Sequence, residues 1–194
     1  MKVSGYIASA AAALALSAAA PASAGIVTFD SYPSPNVCQG SLSDGGLSFS
    51  VTGSICMGVW LDNPNGNGTP GLVEGFSGFT TITRTGGGAF NLNAFDLGIS
   101  WYDNAPTSHV TVTAHFSGGG SSSQVLDLVQ ALQNYNLGLN NVTSVDVSAL
   151  STGNGYWLMD NINYDERRVP EPATMALLGI GALGALRRRF KPAR

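Results

Sequence analysis

Side chains able to do chemistry are few, and their spacing limits what they can do. The stretch 25–169 holds eleven acids, both histidines and three arginines, Arg84, Arg167 and Arg168. His109 and His115 alternate onto the same face of one predicted strand. They stand six residues apart, about 20 Å at ~3.3 Å per residue, so they cannot share a metal ion. They read as solvent-facing strand histidines. Asp160 is a stronger candidate. In Tyr156-Trp157-Leu158-Met159-Asp160-Asn161-Ile162-Asn163-Tyr164, parity places it with Leu158 and Ile162. A carboxylate turned to a core is costly unless it is paired or bound to a cation. With so few basic side chains available, Ca²⁺ held by oxygen ligands is the natural partner, with Asp30 at the end of the first strand as second ligand. The competing assignment turns Trp157 and Met159 inward and leaves Asp160 solvated.

Sugar binding needs exposed rings with polar neighbours. Tyr102, followed by Asp103 and Asn104, is one candidate; Trp60, before an Asn-rich loop, and Trp157 are the others. The opposing reading puts the tryptophans in the core of a small sandwich. The loop Asp62-Asn63-Pro64-Asn65-Gly66-Asn67-Gly68 is rich in oxygen ligands, but Pro64 stands at a ligand position of the EF-hand pattern, so the loop reads as a turn. Cys38 and Cys56 are the only cysteines. In an oxidising compartment they form a disulfide, closing a loop worth about 3 kcal/mol. No Gly-x-Ser-x-Gly elbow, His-Glu-x-x-His helix or P-loop is present, and no catalytic residue is assigned. The chain is read as a non-enzyme.

The elements that must position these groups are strands. Only 11% of residues are charged and 25 of 194 are glycine, against roughly 25% charged in an average domain. Nine Lys and Arg in all exclude a nucleic-acid binder built on a basic surface. Val110, Val112, Ala114 and Phe116 alternate with His109, Thr111, Thr113 and His115, and Phe95, Leu97, Ile99 and Trp101 alternate likewise. Phe90 and Leu92 fall one step out of phase, which predicts a bulge near Asn93-Ala94. Further strands are predicted at 26–30, 47–52, 55–60, 79–84, 124–130, 135–139, 142–147 and 156–164, with a short helix over 125–133 as an alternative. Gly-rich turns separate them. Many short strands without a convincing helix make an all-β domain, a β-sandwich of jelly-roll-like type, over 25–168.

The ends differ from this middle. Residues 25–169 carry a formal charge of −8 from three arginines and eleven acids, while the other six basic residues lie in the termini. Lys2, the uncharged run Ile7–Ala20 and Pro21-Ala22-Ser23-Ala24 make an N-terminal signal peptide, 1–24, cleaved by signal peptidase before Gly25. At the other end Val169-Pro170-Glu171-Pro172 breaks regular structure, and fourteen uncharged residues, 173–186, precede Arg187-Arg188-Arg189. As a helix this run spans about 21 Å, short of a hydrocarbon core of about 30 Å but within reach of local thinning. The arginines hold the cytoplasmic side of the inner membrane.

This order of Pro-Glu-Pro, short apolar transmembrane helix and Arg cluster, over 169–194, resembles the PEP-CTERM sorting signal. The resemblance implies an exosortase substrate, exported by a Gram-negative bacterium that makes exopolysaccharide. Pro170, Glu171 and Pro172 are the recognition motif it implies, with Arg187, Arg188 and Arg189 as the stop-transfer cluster. The Asp160-Asn161-Ile162 ending also resembles that of carbohydrate-binding jelly rolls with a structural calcium near their first and last strands. The expected protein is transiently anchored in the inner membrane and then resides at the cell surface or outside. Its expected role is structural or interactive, associated with exopolysaccharide. A carbohydrate-binding module with a structural calcium is the alternative, and a hydrolase with an unrecognised site the third.

Intact-mass spectrometry of the exported protein checks the reading of both ends. The expected species begins at Gly25 and ends near Pro170. A full-length tail in a strain with active exosortase contradicts it.

Overall fold

A computed structural model describes residues 23–33, 36–53, 56–61, 65–75, 78–100, 109–149 and 156–166. Residues 1–22 of the predicted signal peptide 1–24, Tyr102 and the tail 169–194, with Pro170, Glu171, Pro172, the helix 173–186 and Arg187–Arg189, lie outside them, while Ser23 and Ala24 are described. The described residues form eleven strands: β1 (Ser23–Val27), β2 (Ser41–Asp44), β3 (Leu47–Thr52), β4 (Cys56–Trp60), β5 (Gly71–Gly75), β6 (Phe79–Arg84), β7 (Phe90–Ile99), β8 (His109–Phe116), β9 (Ser121–Asp127), β10 (Gln133–Ala149) and β11 (Tyr156–Glu166). Every ladder is antiparallel. The domain is all-β, as the alternation requires. Among the described residues no helix is long and apolar enough to cross a membrane.

Two sheets share one strand. The first runs β4-β5-β11-β7-β10, with β1 continuing the edge of β11 beyond β5. The second runs β2-β3-β6-β10-β8-β9. β10 pairs with β7 through Gln133–Val142 and with β6 and β8 through Val142–Ala149. It changes sheets where its register with β7 slips twice, between Asn136 and Leu139 and between Leu139 and Val142. Gly138 and Asn141 both sit at φ 60° there. Glycine and asparagine are the residues that enter this left-handed region most readily. Extra residues at such bulges turn a strand through the corner of a sandwich. The two segments predicted at 135–139 and 142–147 are therefore one bent strand.

Between the sheets lies the core, with Phe49, Ile82, Val112, Val145 and Val147 from the second and Phe90, Phe95, Leu97, Trp157 and Met159 from the first, all at most 1% exposed. Phe29 stacks tilted on Phe49 with ring centroids 5.4 Å apart. Its backbone has φ 57°. That conformation costs a non-glycine residue about 1–2 kcal/mol, and burying a Phe ring returns about 1.5–3 kcal/mol, so packing holds the strained turn. Tyr164 closes the same end: its hydroxyl donates to the Gly45 carbonyl, and its ring lies where a Cβ on Gly25 or Gly46 would be.

The predicted bulge at Asn93 is present. Asn163 pairs with Ala94 and Tyr164 with Leu92, so β7 carries an extra residue there. A second bulge was not predicted. Asp160 pairs with Asp96 and Asn163 with Ala94, leaving an extra residue on β11 beside Asn161, whose φ is 48°. β2 and β5 were missed as well. β2 is four residues long with one buried apolar side chain, and β5 is buried at every position, so neither alternates clearly. Segment 125–133 is strand as far as Asp127 rather than helix.

Cys38 and Cys56 are joined across 18 positions of sequence. The bond ties the segment before β2 to the start of β4, where Gln39 N and Asn36 N donate to the Met57 and Val59 carbonyls. Reduction, or the double change Cys38→Ser and Cys56→Ser, is expected to lower stability by about 3 kcal/mol, read as a shift of the urea midpoint.

Candidate functional site

The outer face of the second sheet is an organised polar surface. Core side chains occupy alternate positions of its strands, so the intervening Ser and Thr all point outward. Register brings them into rows that cross all six strands. One row is Ser43, Ser48, Thr83, Ser144, His115 and Ser121; the next is Ser41, Ser50, Thr81, Asp146, Thr113 and Ser123. Neighbouring strands lie about 4.8 Å apart and successive rows about 6.7 Å, so the hydroxyls form a lattice. Members are linked laterally: Ser43 Oγ to Ser48 Oγ at 2.9 Å, Thr113 Oγ1 to Ser123 Oγ at 2.9 Å, and Thr81 Oγ1 donating to Asp146 Oδ1 at 2.7 Å.

Both acids of this face are matched by histidine. His115 Nε2 lies 2.9 Å from Asp146 Oδ2, and His109 Nδ1 lies 2.6 Å from Asp127 Oδ1. His109 is exposed and His115 half-buried on the outer face, and they sit on separate carboxylates. Neither has a serine as hydrogen-bond partner, which is what an activated hydroxyl nucleophile needs. The Ser and Thr rows offer hydroxyls that both donate and accept hydrogen bonds.

The first sheet carries a smaller belt of amides and carboxylates. Asn93 Nδ2 donates to Asn163 Oδ1 and Asp165 Oδ2, both at 3.1 Å. Asp96 accepts from Asn161 Nδ2 and from Asn134 Nδ2, both at 2.8 Å. These bonds join β10, β7 and β11 across their outer surface.

Asp160 is 1% exposed, yet it is not on the core side. Trp157 and Met159 turn inward, and the bulge at Asn161 reverses the phase before Ile162. The parity argument that joined Asp160 to Ile162 fails for that reason. The assignment of Asp160 to solvent fails too, because loop 65–70 covers it. Asp160 Oδ2 accepts from Asn67 Nδ2 at 2.9 Å and Thr69 Oγ1 at 3.1 Å, and Oδ1 accepts from Asn161 N at 2.8 Å. Burial raises the Asp160 carboxyl above the usual carboxylate range, the three hydrogen bonds pull it down, and the charge of nearby Asp30 raises it. The two residues expected to bind calcium are therefore neighbours. Asn67 Oδ1 is taken by Thr69 N at 3.1 Å, which turns the Asn67 amino group toward Asp160. The Thr69 hydroxyl has its shorter contact, 2.5 Å, with Asn67 Oδ1. Among the described residues no three His, Cys, Asp or Glu side chains converge.

Of the aromatic candidates, Trp157 is corrected. It is 0% exposed, packed between the sheets, and offers no stacking surface. Trp60 is half-buried at the end of β4, next to exposed Leu61 and close to the strap formed by Val37, whose carbonyl lies over Gly58. Tyr102 is outside the described residues. The hydroxyl rows were missed by sequence reasoning, although their signal was there: the polar half of each alternating strand is Ser or Thr.

Residues 168–189 are a PEP-CTERM protein-sorting motif. The chain is thus an exported protein that passes through the membrane before processing. No curated protein matches the sequence. Among solved structures, a family 29 carbohydrate-binding module from Piromyces equi, CBM29_1, is similar at TM-score 0.50 and 12% identity, over 75% of this chain and 91% of that one. A family 30 carbohydrate-binding module is similar at TM-score 0.46 and 14% identity, over 77% and 92%. An exo-beta-agarase gives TM-score 0.47 at 12% identity over 77% of this chain and 25% of that one. The first of these shares the β-sandwich fold.

Because the Asp160 carboxyl is raised in the folded state, its contribution to stability is complete below the ordinary carboxylate pKa. That contribution is lost as pH rises through the raised value. Urea melts across the mildly acidic range are expected to have a shallower pH slope in Asp160→Asn than in wild type. At neutral pH the variant is expected to lose about 1–3 kcal/mol, since an amide cannot accept from Asn67, Thr69 and Asn161 together. Melts with and without EDTA check the calcium expected at Asp30 and Asp160: an unchanged midpoint removes it.

Proposed function

We propose that this exported sandwich is an interaction module of the cell surface or extracellular matrix that holds exopolysaccharide by hydrogen bonds rather than transforming it. The observation that carries this reading is the in-register Ser and Thr lattice on the second sheet, in a chain tagged for sorting by residues 168–189. A polymer of repeating hydroxyls can meet a repeating row of neutral donors and acceptors at many points. Each hydrogen bond contributes only about 0.5–1.5 kcal/mol, so binding gathers strength with length of contact. The near absence of cations on this face disfavours nucleic acid and strongly anionic polymers. Carbohydrate-binding modules among the similar structures support a carbohydrate as occupant. Signal peptidase and exosortase act on the chain in transit, with the tail held in the inner membrane until it is cut.

A second reading places the polymer on Trp60, the half-exposed ring of β4. One experiment separates them: affinity electrophoresis of the exported protein through gels containing the native exopolysaccharide. Wild type is expected to be retarded, and the pair Thr81→Val with Thr113→Val to lose about tenfold in affinity, two hydrogen bonds' worth. Loss in Trp60→Ala with the threonine pair unaffected moves the site to β4. Migration unchanged by any polymer removes the proposal.

A further inference from the structure

The chain contains three Asn-Gly steps: Asn65-Gly66, Asn67-Gly68 and Asn154-Gly155. An asparagine before glycine is open to attack on its side-chain carbonyl by the next backbone nitrogen, because glycine has no Cβ to shield that nitrogen. All three steps share this weakness. The fold treats the second of them differently.

Asn67 is exposed in the loop that covers Asp160, and its amide is held at both ends. Oδ1 accepts from Thr69 N at 3.1 Å and from Thr69 Oγ1 at 2.5 Å, and Nδ2 donates to Asp160 Oδ2 at 2.9 Å. A backbone N–H only donates, so the Thr69 amide fixes which end of the side chain is oxygen. Gly68, between them, has φ 91° and open space where a Cβ would stand. Among the described residues nothing accepts from its amide. Two residues earlier, Asn65 Nδ2 donates to the Ile99 carbonyl instead of to a carboxylate.

The geometry points to Asn67 as a self-modifying site, at which Thr69 promotes closure of the Asn67 side chain onto the Gly68 nitrogen to give a succinimide. In that step the Gly68 nitrogen bonds to Asn67 Cγ and the Cγ–Nδ2 bond breaks. Ammonia leaves with the proton that the Gly68 nitrogen gives up. Negative charge gathers on Oδ1 in the transition state, where both Thr69 donors already point. Donors set in advance at a developing oxyanion lower the barrier. Asp160 Oδ2 lies against the departing nitrogen and holds the amide in place. Water, which reaches this exposed loop, then opens the ring at either carbonyl and leaves aspartate or isoaspartate. Neither product has an N–H on this side chain, so the bond from Asn67 that ties loop 65–70 to β11 is lost. The step needs no carbohydrate and stands apart from the binding face.

Peptide mapping of the exported protein, aged at neutral pH, reads the step as acid in place of amide at each asparagine. In the folded chain Asn67 is expected to convert about tenfold faster than Asn65 and Asn154, the worth of one hydrogen bond to a developing charge. In urea the rates are expected to converge, because only the shared Asn-Gly chemistry is left. Thr69→Ser, which keeps the hydroxyl, is expected to preserve the lead of Asn67, and Thr69→Val to abolish it. Should Thr69→Val misfold, the comparison of folded with urea-unfolded wild type decides. The proposal is overturned if Asn67 converts no faster than the other two in the folded chain, if its lead persists in urea, or if folded Thr69→Val retains it.

Discussion

One strand has to belong to two sheets, and the fold depends on how it does so. β10 leaves β7 at Val142 and continues between β6 and β8, and its turn is made by Gly138 and Asn141 at positive φ. A β-branched residue at either place would resist that conformation. Because the turn has a fixed position, the register of every neighbour follows from it. Val145 and Val147 face the core, so Ser144, Asp146 and Ser148 must face out, and the strands paired on either side inherit the same phase. The hydroxyl lattice and the hydrophobic core are two sides of this single register.

Electrostatics in the described domain is a matter of neutral donors satisfying acids. Asp160 is covered by amide, hydroxyl and backbone donors, Asp96 by two asparagine amides, and Asp165 by a third. Amide donors hold a carboxylate more gently than a guanidinium does, but they add no opposite charge to the surface. The acids are thus satisfied without cations, and the stretch 25–169 keeps its formal charge of −8.

The strong alternators were legible in sequence. β8 and β7, and even the bulge at Asn93, followed from where apolar residues fell out of phase, and the disulfide followed from two cysteines in an exported chain. What could not be read was any feature set by a left-handed residue within a strand. The bulge at Asn161 reversed the face of Ile162 relative to Asp160, so a parity count carried through it gave the wrong neighbour. The burial of Asp160 depends on a loop ninety-odd residues away in sequence, through Asn67 and Thr69, and no local pattern encodes it. Trp157 illustrates the opposite limit: parity allowed it either face, and only packing between the sheets decided. The short β2 and the wholly buried β5 lacked the period that marks a half-exposed strand.

Gly25 of β1 pairs with Tyr164 of β11, so the two ends of the sandwich leave from adjacent positions at one corner. A fold whose entry and exit coincide can be spliced into a surface turn of another protein, or fused in tandem, without stretching its own framework. Evolution and the protein engineer alike could therefore move this unit between hosts as a cassette, at the cost of little more than a two-stranded stem.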